Sequence, residues 1–254
     1  MGFKGFVVIP RDMIHEFISL MFYIGLYGIS NQIGRVLCKS GLQNGNVLLL
    51  SGDKSPTMFA TILAALKCGL IYCIYDPEGA ANRLERIISV CQPNIIISSS
   101  KDIELWRKNL GVIAILSYDE LSETAALHKS DQNIHTADVV GDHLAYIMFT
   151  SGSTGTPKGA MMTHANVLTL IDWSLKTFNF GPGEVLTNVN PSYFDNFVFD
   201  FYSAVFSGAT LAPFTREQIY YSFESSQISH QNILDSYLTK LRKKGIMMIV
   251  HRIG

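Results

Sequence analysis

The chain has 254 residues, with 20 basic and 21 acidic side chains and a formal net charge of −1. That balance leaves no electrostatic footprint for nucleic acid. Apolar residues make up 48% of the chain and charged ones only 16%, which permits a sizeable core and argues against disorder. The cysteines Cys38, Cys68, Cys73 and Cys91 include no CxxC pair and no histidine at metal-ligand spacing. They read as small buried hydrophobes in a reducing cytosol.

In chain order, Phe17–Ile33 is uncharged and fairly apolar, but Ser19, Gly25, Gly28, Ser30, Asn31 and Gln32 make it a poor membrane span. Arg11, Asp12 and Glu16 before it are wrong for a signal peptide, and Phe6 breaks a myristoylation motif. The expected location is cytoplasmic, with no membrane partner. Strand-like and helix-like stretches then alternate, which predicts an α/β fold with parallel strands.

Val47–Leu50 is a short buried strand. Ser55-Pro56 opens a helix with an apolar face of Met58, Ile62, Leu63 and Leu66, ended by Gly69. Leu70–Tyr75 is a strand, Arg83–Cys91 an amphipathic helix through Leu84, Ile87, Ile88 and Cys91, and Asn94–Ser98 a strand. Val112–Leu116 suggests a strand and Ser122–Thr136 a surface loop. His143–Thr150 is a strand and His164–Phe178 a helix with Val167, Leu168, Ile171, Leu175 and Phe178 on one face. Val185–Val189, an apolar helix over Asn196–Ser207 closed by Gly208, and a strand over Ala209–Pro213 follow. In the last stretch, Gln231–Lys244 has helical spacing and a basic end that suits a helix C-terminus.

Chemistry concentrates where the strand at Thr150 runs out. Thr150, Ser151, Ser153 and Thr154 supply hydroxyls, and Lys158 supplies one mobile cation. Gly152, Gly155 and Gly159 let the backbone approach a ligand. Backbone N–H groups, hydroxyls and a point charge together suit a triphosphate. The GxxxxGK[ST] pattern does not fit, because Pro157 replaces its second glycine and Gly159 follows Lys158.

Ile147–Gly159, IMFTSGSTGTPKG, closely resembles the signature of the adenylate-forming superfamily, which includes acyl-CoA synthetases, luciferases and the amino-acid adenylation domains of nonribosomal peptide synthetases. Leu63–Asp76 with Asp76-Pro77 and Arg83, and Thr163-His164-Ala-Asn166-Val167, are also similar to that family, although Ala80 stands where a second proline is usual. The resemblance implies layered, mostly parallel sheets flanked by helices, as in the N-terminal part of such an enzyme. It implies that Thr150, Ser151, Ser153, Thr154 and Lys158 hold the β and γ phosphates of ATP, with Mg²⁺ as the usual companion. Phe194-Asp195-Asn196-Phe197 resembles the Phe-Asp-x-Ser motif of amino-acid-activating members, with Phe197 in place of Ser. There Asp195 would meet the substrate ammonium; the alternative is a helix N-cap. Tyr193 and Phe194 are either pocket lining or core, His164 packs or caps at its helix start, and Asp200 and Phe201 read as scaffold.

The implied activity is ATP-dependent activation of a carboxylic acid, with an amino acid favoured, and a carrier protein as acceptor. No catalytic or metal-ligating residue is assigned. The resemblance spans about Tyr27 to Arg216, leaving residues 1–26 poorly matched and 217–254 unlike the family. The family's later adenine, ribose and second-lysine motifs do not occur in the chain. The expectation is therefore a truncated, inactive fragment. A non-catalytic nucleotide-binding remnant and an acyl- or aryl-CoA-type synthetase fragment are the alternatives.

Overall fold

A computed structural model describes residues 23–99, 103, 107, 113–127, 138–150, 157–182 and 184–215. Helix α1 (Tyr23–Lys39) buries Leu26, Ile33 and Leu37 and packs on α2 (Pro56–Lys67). The Ser55-Pro56 signal works as read. The Ser55 hydroxyl accepts the Met58 N–H at 3.1 Å, and Pro56 lies in the first turn, where its missing donor costs nothing. Cys68 caps the other end, and Gly69 leaves the helix at φ +69°. Met58 and Ile62 are buried as expected and Leu63 and Leu66 only partly. Phe59, Ala60, Ala64 and Ala65 are buried too, so α2 is wrapped beyond one stripe.

Six strands form the main sheet: β1 (Val47–Ser51), β2 (Ile71–Tyr75), β3 (Ile95–Ser98), β4 (Ala114–Ser117), β5 (Leu144–Thr150) and β6 (Lys158–Thr163), in the order β4-β3-β1-β2-β5-β6. All neighbours are parallel except β5 and β6. Alternation along the strands feeds two cores. Leu48, Leu50, Tyr72, Ile74, Ile95 and Ile97 face one side with α1 and α2. Leu49, Cys73, Tyr75, Ile96 and Phe149 face the other with Leu84, Ile87 and Cys91 of α3 (Ala81–Cys91). Both faces are covered, which is why these strands read as continuous apolar runs.

Two stretches depart from the sequence reading. Residues 122–126, expected as loop, belong to α4 (Tyr118–Ala126), which Ser117 and Glu120 start with a reciprocal capping box. Tyr118, Leu121 and Ala125 are its buried face. The apolar spacing there is short, so the Ser-x-x-Glu pair was the readable signal. Strand β6 was not foreseen either. Its residues are mostly exposed or half-buried and show no clean alternation, so the pairing with β5 makes the strand.

After β6, α5 (His164–Phe178) starts at a Thr163/Asn166 capping box and ends at Asn179 in the left-handed region. Val167 and Ile171 are buried, but Leu168 is 58% exposed, so the face is narrower than its spacing suggested. A second unit, β7 (Val185–Asn188), α6 (Asp195–Ser207) and β8 (Thr210–Pro213), is a parallel βαβ element with a two-stranded sheet. Phe197 and Phe201 of α6 are fully buried and stack on Phe59 at 5.7 and 5.3 Å. Tyr202 also reaches Tyr72, hydroxyl to hydroxyl, at 3.1 Å. No helix among the described residues is long and apolar enough to cross a membrane.

A buried polar joint ties the end of β1 to the loop that leads into α6. Lys54, at φ +57°, donates its ammonium to the Asn188 carbonyl at 2.7 Å. The Asn188 amide donates to the Asp200 carboxylate at 3.3 Å. Gly52 lets the two segments touch: a Cβ there would stand 2.3 Å from Ser192 Oγ. Burial pushes the Asp200 carboxyl well above its usual range, against the opposing pull of Lys54, Asn188 and Asn190.

Two outcomes follow from this packing. Phe201→Ala removes a fully buried ring and is expected to cost about 3–5 kcal/mol in urea denaturation. Asp200 and Asp53 both have raised folded pKa values, so the folded state keeps protons that the unfolded chain has already released above 3.8. Their contribution to stability therefore falls as pH rises through that window. Asp200→Asn is expected to flatten the fall between about pH 4 and 7, read as the pH dependence of the denaturation midpoint; an unchanged slope would refute the assignment.

Candidate functional site

The site is built around β5. At its end, Thr150 pairs with Lys158 across the β5–β6 hairpin. The Thr150 hydroxyl donates to the Lys158 carbonyl at 3.4 Å, and both side chains are exposed. These two residues are the feet of the segment that the sequence reading expects to bind phosphate. Ser151, Gly152, Ser153, Thr154 and Gly155 lie outside the described residues. Gly159 lies opposite Phe149. A Cβ there would come within 2.9 Å of the Ile147 side chain and 3.3 Å of the Phe149 ring, so close strand packing explains this glycine.

Asp195 lies in the first turn of α6. Phe194, not Asp195, is the N-cap, and it makes no side-chain cap bond. The Asp195 carboxylate accepts the Asn196 N–H at 2.9 Å and remains exposed at the positive end of the helix. Its charge reaches Tyr146 of β5. Burial first, and Asp195 second, push the Tyr146 phenol up to about 12. Tyr146 in turn stacks on Tyr72 at 5.3 Å, its register partner on β2.

Between these elements is a shallow, open cleft with room for about one water molecule, lined by Tyr72, Ile74, Tyr146, Met148, Ser192 and Tyr193 among others. That is far below the roughly 300–1,000 Å³ of typical ligand pockets, so the described residues alone do not enclose a ligand-sized site. Tyr193 is among the residues lining it, while Phe194 is 41% exposed. Ser192 is 2% exposed, and its hydroxyl finds no partner among the described residues. Ser192 and Tyr146 went unnoticed in the sequence because nothing in their local pattern marks a cleft; they meet only through the β5–α6 packing. Asp200, read as scaffold, is indeed buried in the polar joint.

His164 opens α5, and its backbone N–H bonds the His143 carbonyl at 2.9 Å. Burial, with His143 nearby, lowers the His164 pKa. Among the described residues, no group of three or more His, Cys, Asp or Glu side chains is placed to hold a metal ion.

The comparisons with known proteins agree with this geometry. The family model described as AMP-binding enzyme matches residues 21–235. The chain is 34% identical over 180 residues to an L-proline--[L-prolyl-carrier protein] ligase from Pseudomonas fluorescens, covering 69% of this chain and 36% of that protein. It is 31% identical over 168 residues to a D-alanine--D-alanyl carrier protein ligase from Listeria monocytogenes, covering 65% of this chain and 32% of that one. It thus spans about a third of the length of these relatives. Among solved structures, ATP-bound MatB from Rhodopseudomonas palustris superposes with a TM-score of 0.67 at 25% identity, over 76% of this chain and 39% of that one. The N-terminal domain of FACL13 from Mycobacterium tuberculosis, at 20% identity and a TM-score of 0.71, shares the fold, over 82% of this chain and 54% of that one. With the hairpin, the α6 terminus and the sheet order in place, the chain belongs to the AMP-binding enzyme family, whose members use ATP.

Proposed function

We propose that this chain supplies the phosphate loop and the acid-binding floor of an AMP-forming ligase that activates an amino acid. The observation that carries the reading is that one strand, β5, runs from the cleft at Tyr146 to the Thr150–Lys158 hairpin. Tyr146 lies within electrostatic reach of Asp195, and four residues later Thr150 begins the phosphate segment. A carboxylate held over the cleft by an Asp195–ammonium pair would sit beside the phosphate end of the same strand.

In this reading the substrate carboxylate oxygen attacks the α-phosphorus of ATP. The bond from that phosphorus to the bridging oxygen breaks, giving an acyl-adenylate and pyrophosphate. Backbone N–H groups and hydroxyls of Thr150, Ser151, Gly152, Ser153, Thr154 and Gly155, with the Lys158 ammonium, hold the departing phosphates and gain most as charge builds on them. Gly159 serves by letting β6 lie close to β5. Mg²⁺ usually accompanies ATP in such chemistry. What this chain's own residues would add to the charge stabilisation is the Lys158 ammonium and the loop amides.

The relatives named as carrier-protein ligases support a carrier thiol as the next acceptor. An amino acid is favoured over other acids because Asp195 is an exposed carboxylate in the first turn of α6 whose charge is felt at Tyr146, a residue of the cleft. An anionic or purely apolar acid would gain nothing from that charge.

The test is amino-acid-dependent exchange of pyrophosphate into ATP by the protein that carries this chain. Lys158→Ala is expected to lower exchange by roughly 10²–10³-fold. Asp195→Ala is expected to raise the amino-acid KM by roughly 10–100-fold, with a smaller effect on the KM for ATP. Exchange driven equally well by acids lacking an amino group, and indifferent to Asp195→Ala, would instead mark an acyl- or aryl-CoA-type synthetase. ATP binding that weakens in Lys158→Ala without any exchange would mark a nucleotide-binding remnant.

A further inference from the structure

The four cysteines, unremarkable in sequence, meet in two pairs. Cys38 lies in the last turn of α1 and is exposed; Cys68 caps α2 and is buried. Their sulfurs are 3.1 Å apart, although the residues are 30 positions apart in the chain. Cys73 of β2 and Cys91 of α3 are hydrogen-bonded to each other, both buried in the other core.

We infer that Cys38 and Cys68 are a thiol pair that oxidises to an intramolecular disulfide, clamping α1 to α2, while Cys73 and Cys91 stay reduced. A disulfide needs a sulfur separation of about 2.05 Å, so closing this pair takes a movement of roughly 1 Å. The helices are already held in place for it. The Lys67 ammonium, next to Cys68, donates to Ser30 Oγ at 2.6 Å and Asn31 Oδ1 at 2.8 Å, both on α1. It also lies 3.8 Å over the Tyr27 ring.

Exposure sets the order of steps. With glutathione disulfide as oxidant, the Cys38 thiolate attacks one glutathione sulfur, breaking its S–S bond and releasing one glutathione thiolate. Cys68 then attacks the Cys38 sulfur of the mixed disulfide and expels the second. Two protein thiols are oxidised, one glutathione disulfide is reduced to two glutathiones, and the two protein protons leave on those products. Burial pushes the Cys68 thiol upward, with Lys67 opposing. Cys68 therefore suits the second, intramolecular step, where proximity replaces thiolate population. Cys73 and Cys91 have no exposed member to begin the exchange.

The test is incubation of the full chain with glutathione disulfide, followed by alkylation under denaturing conditions, intact mass and peptide mapping. The expected result is a fall from four titratable thiols to two, a mass loss of about 2 Da, and a cross-linked peptide joining Cys38 to Cys68. The oxidised chain is expected to melt roughly 5–10 °C higher, reversibly with dithiothreitol. Cys38→Ser, a conservative change at an exposed position, keeps the fold and abolishes both the cross-link and the shift. A mixed glutathione disulfide that persists on Cys38, a Cys73–Cys91 link, or an equal melting shift in Cys38→Ser would overturn the inference.

Discussion

Strand β5 carries the constraint on which the remaining structure depends. On one side it pairs in parallel with β2, placing Tyr146 beside Tyr72; on the other it pairs antiparallel with β6, closing Thr150 onto Lys158. Backbone hydrogen bonding on both edges leaves this strand no freedom to slip. A shift of one residue would turn Tyr146 and Phe149 to the wrong cores and carry the phosphate segment with them. The two ends of the proposed site are thereby set apart by the length of the strand itself.

The second element of order is the polar joint between β1 and α6. Half-buried Lys54 and buried Asn188 and Asp200 form a polar group of the kind that a purely apolar interface can in general replace without loss of stability. What it adds here is orientation. The joint holds the loop before Asp195 against the end of β1, and Gly52 gives that loop room next to Ser192. Ligands in open α/β sheets bind beyond the carboxyl ends of the strands, and Ser51, Thr150 and Asn188 all end strands on the way to these loops. The fold and the proposed chemistry therefore share one edge.

Around this edge the cysteines show how tertiary packing can give a residue a property its sequence context lacks. Cys38 and Cys68 occupy the ends of two helices that cross because Ile33 and Leu37 must be buried against α2. Their contact is a by-product of that burial, yet it brings an exposed thiol to a buried one. Neither spacing nor composition distinguishes this pair from Cys73 and Cys91.

Much of the layout was legible from residues alone. Ser55-Pro56, Thr163 with Asn166, and Gly208 mark helix ends through local hydrogen bonds and backbone sterics, which act within a few residues and so appear in the sequence. The apolar runs at Val47, Ile71 and Ile95 announce buried strands for the same reason. The segment proposed to bind phosphate was legible as a pattern of small, hydroxylic and cationic residues. Strand β6, the exposure of Leu168, the N-cap at Phe194 and the cleft at Ser192 were not. Each depends on which distant backbone or side chain lies opposite. The sequence by itself determined the α/β class and most of the helix ends, because these follow from local periodicity and capping. Only the tertiary structure decided that Asp195 and Thr150 share one strand's reach and that Cys38 meets Cys68, because cross-strand register and helix packing are made by contacts far apart in the chain.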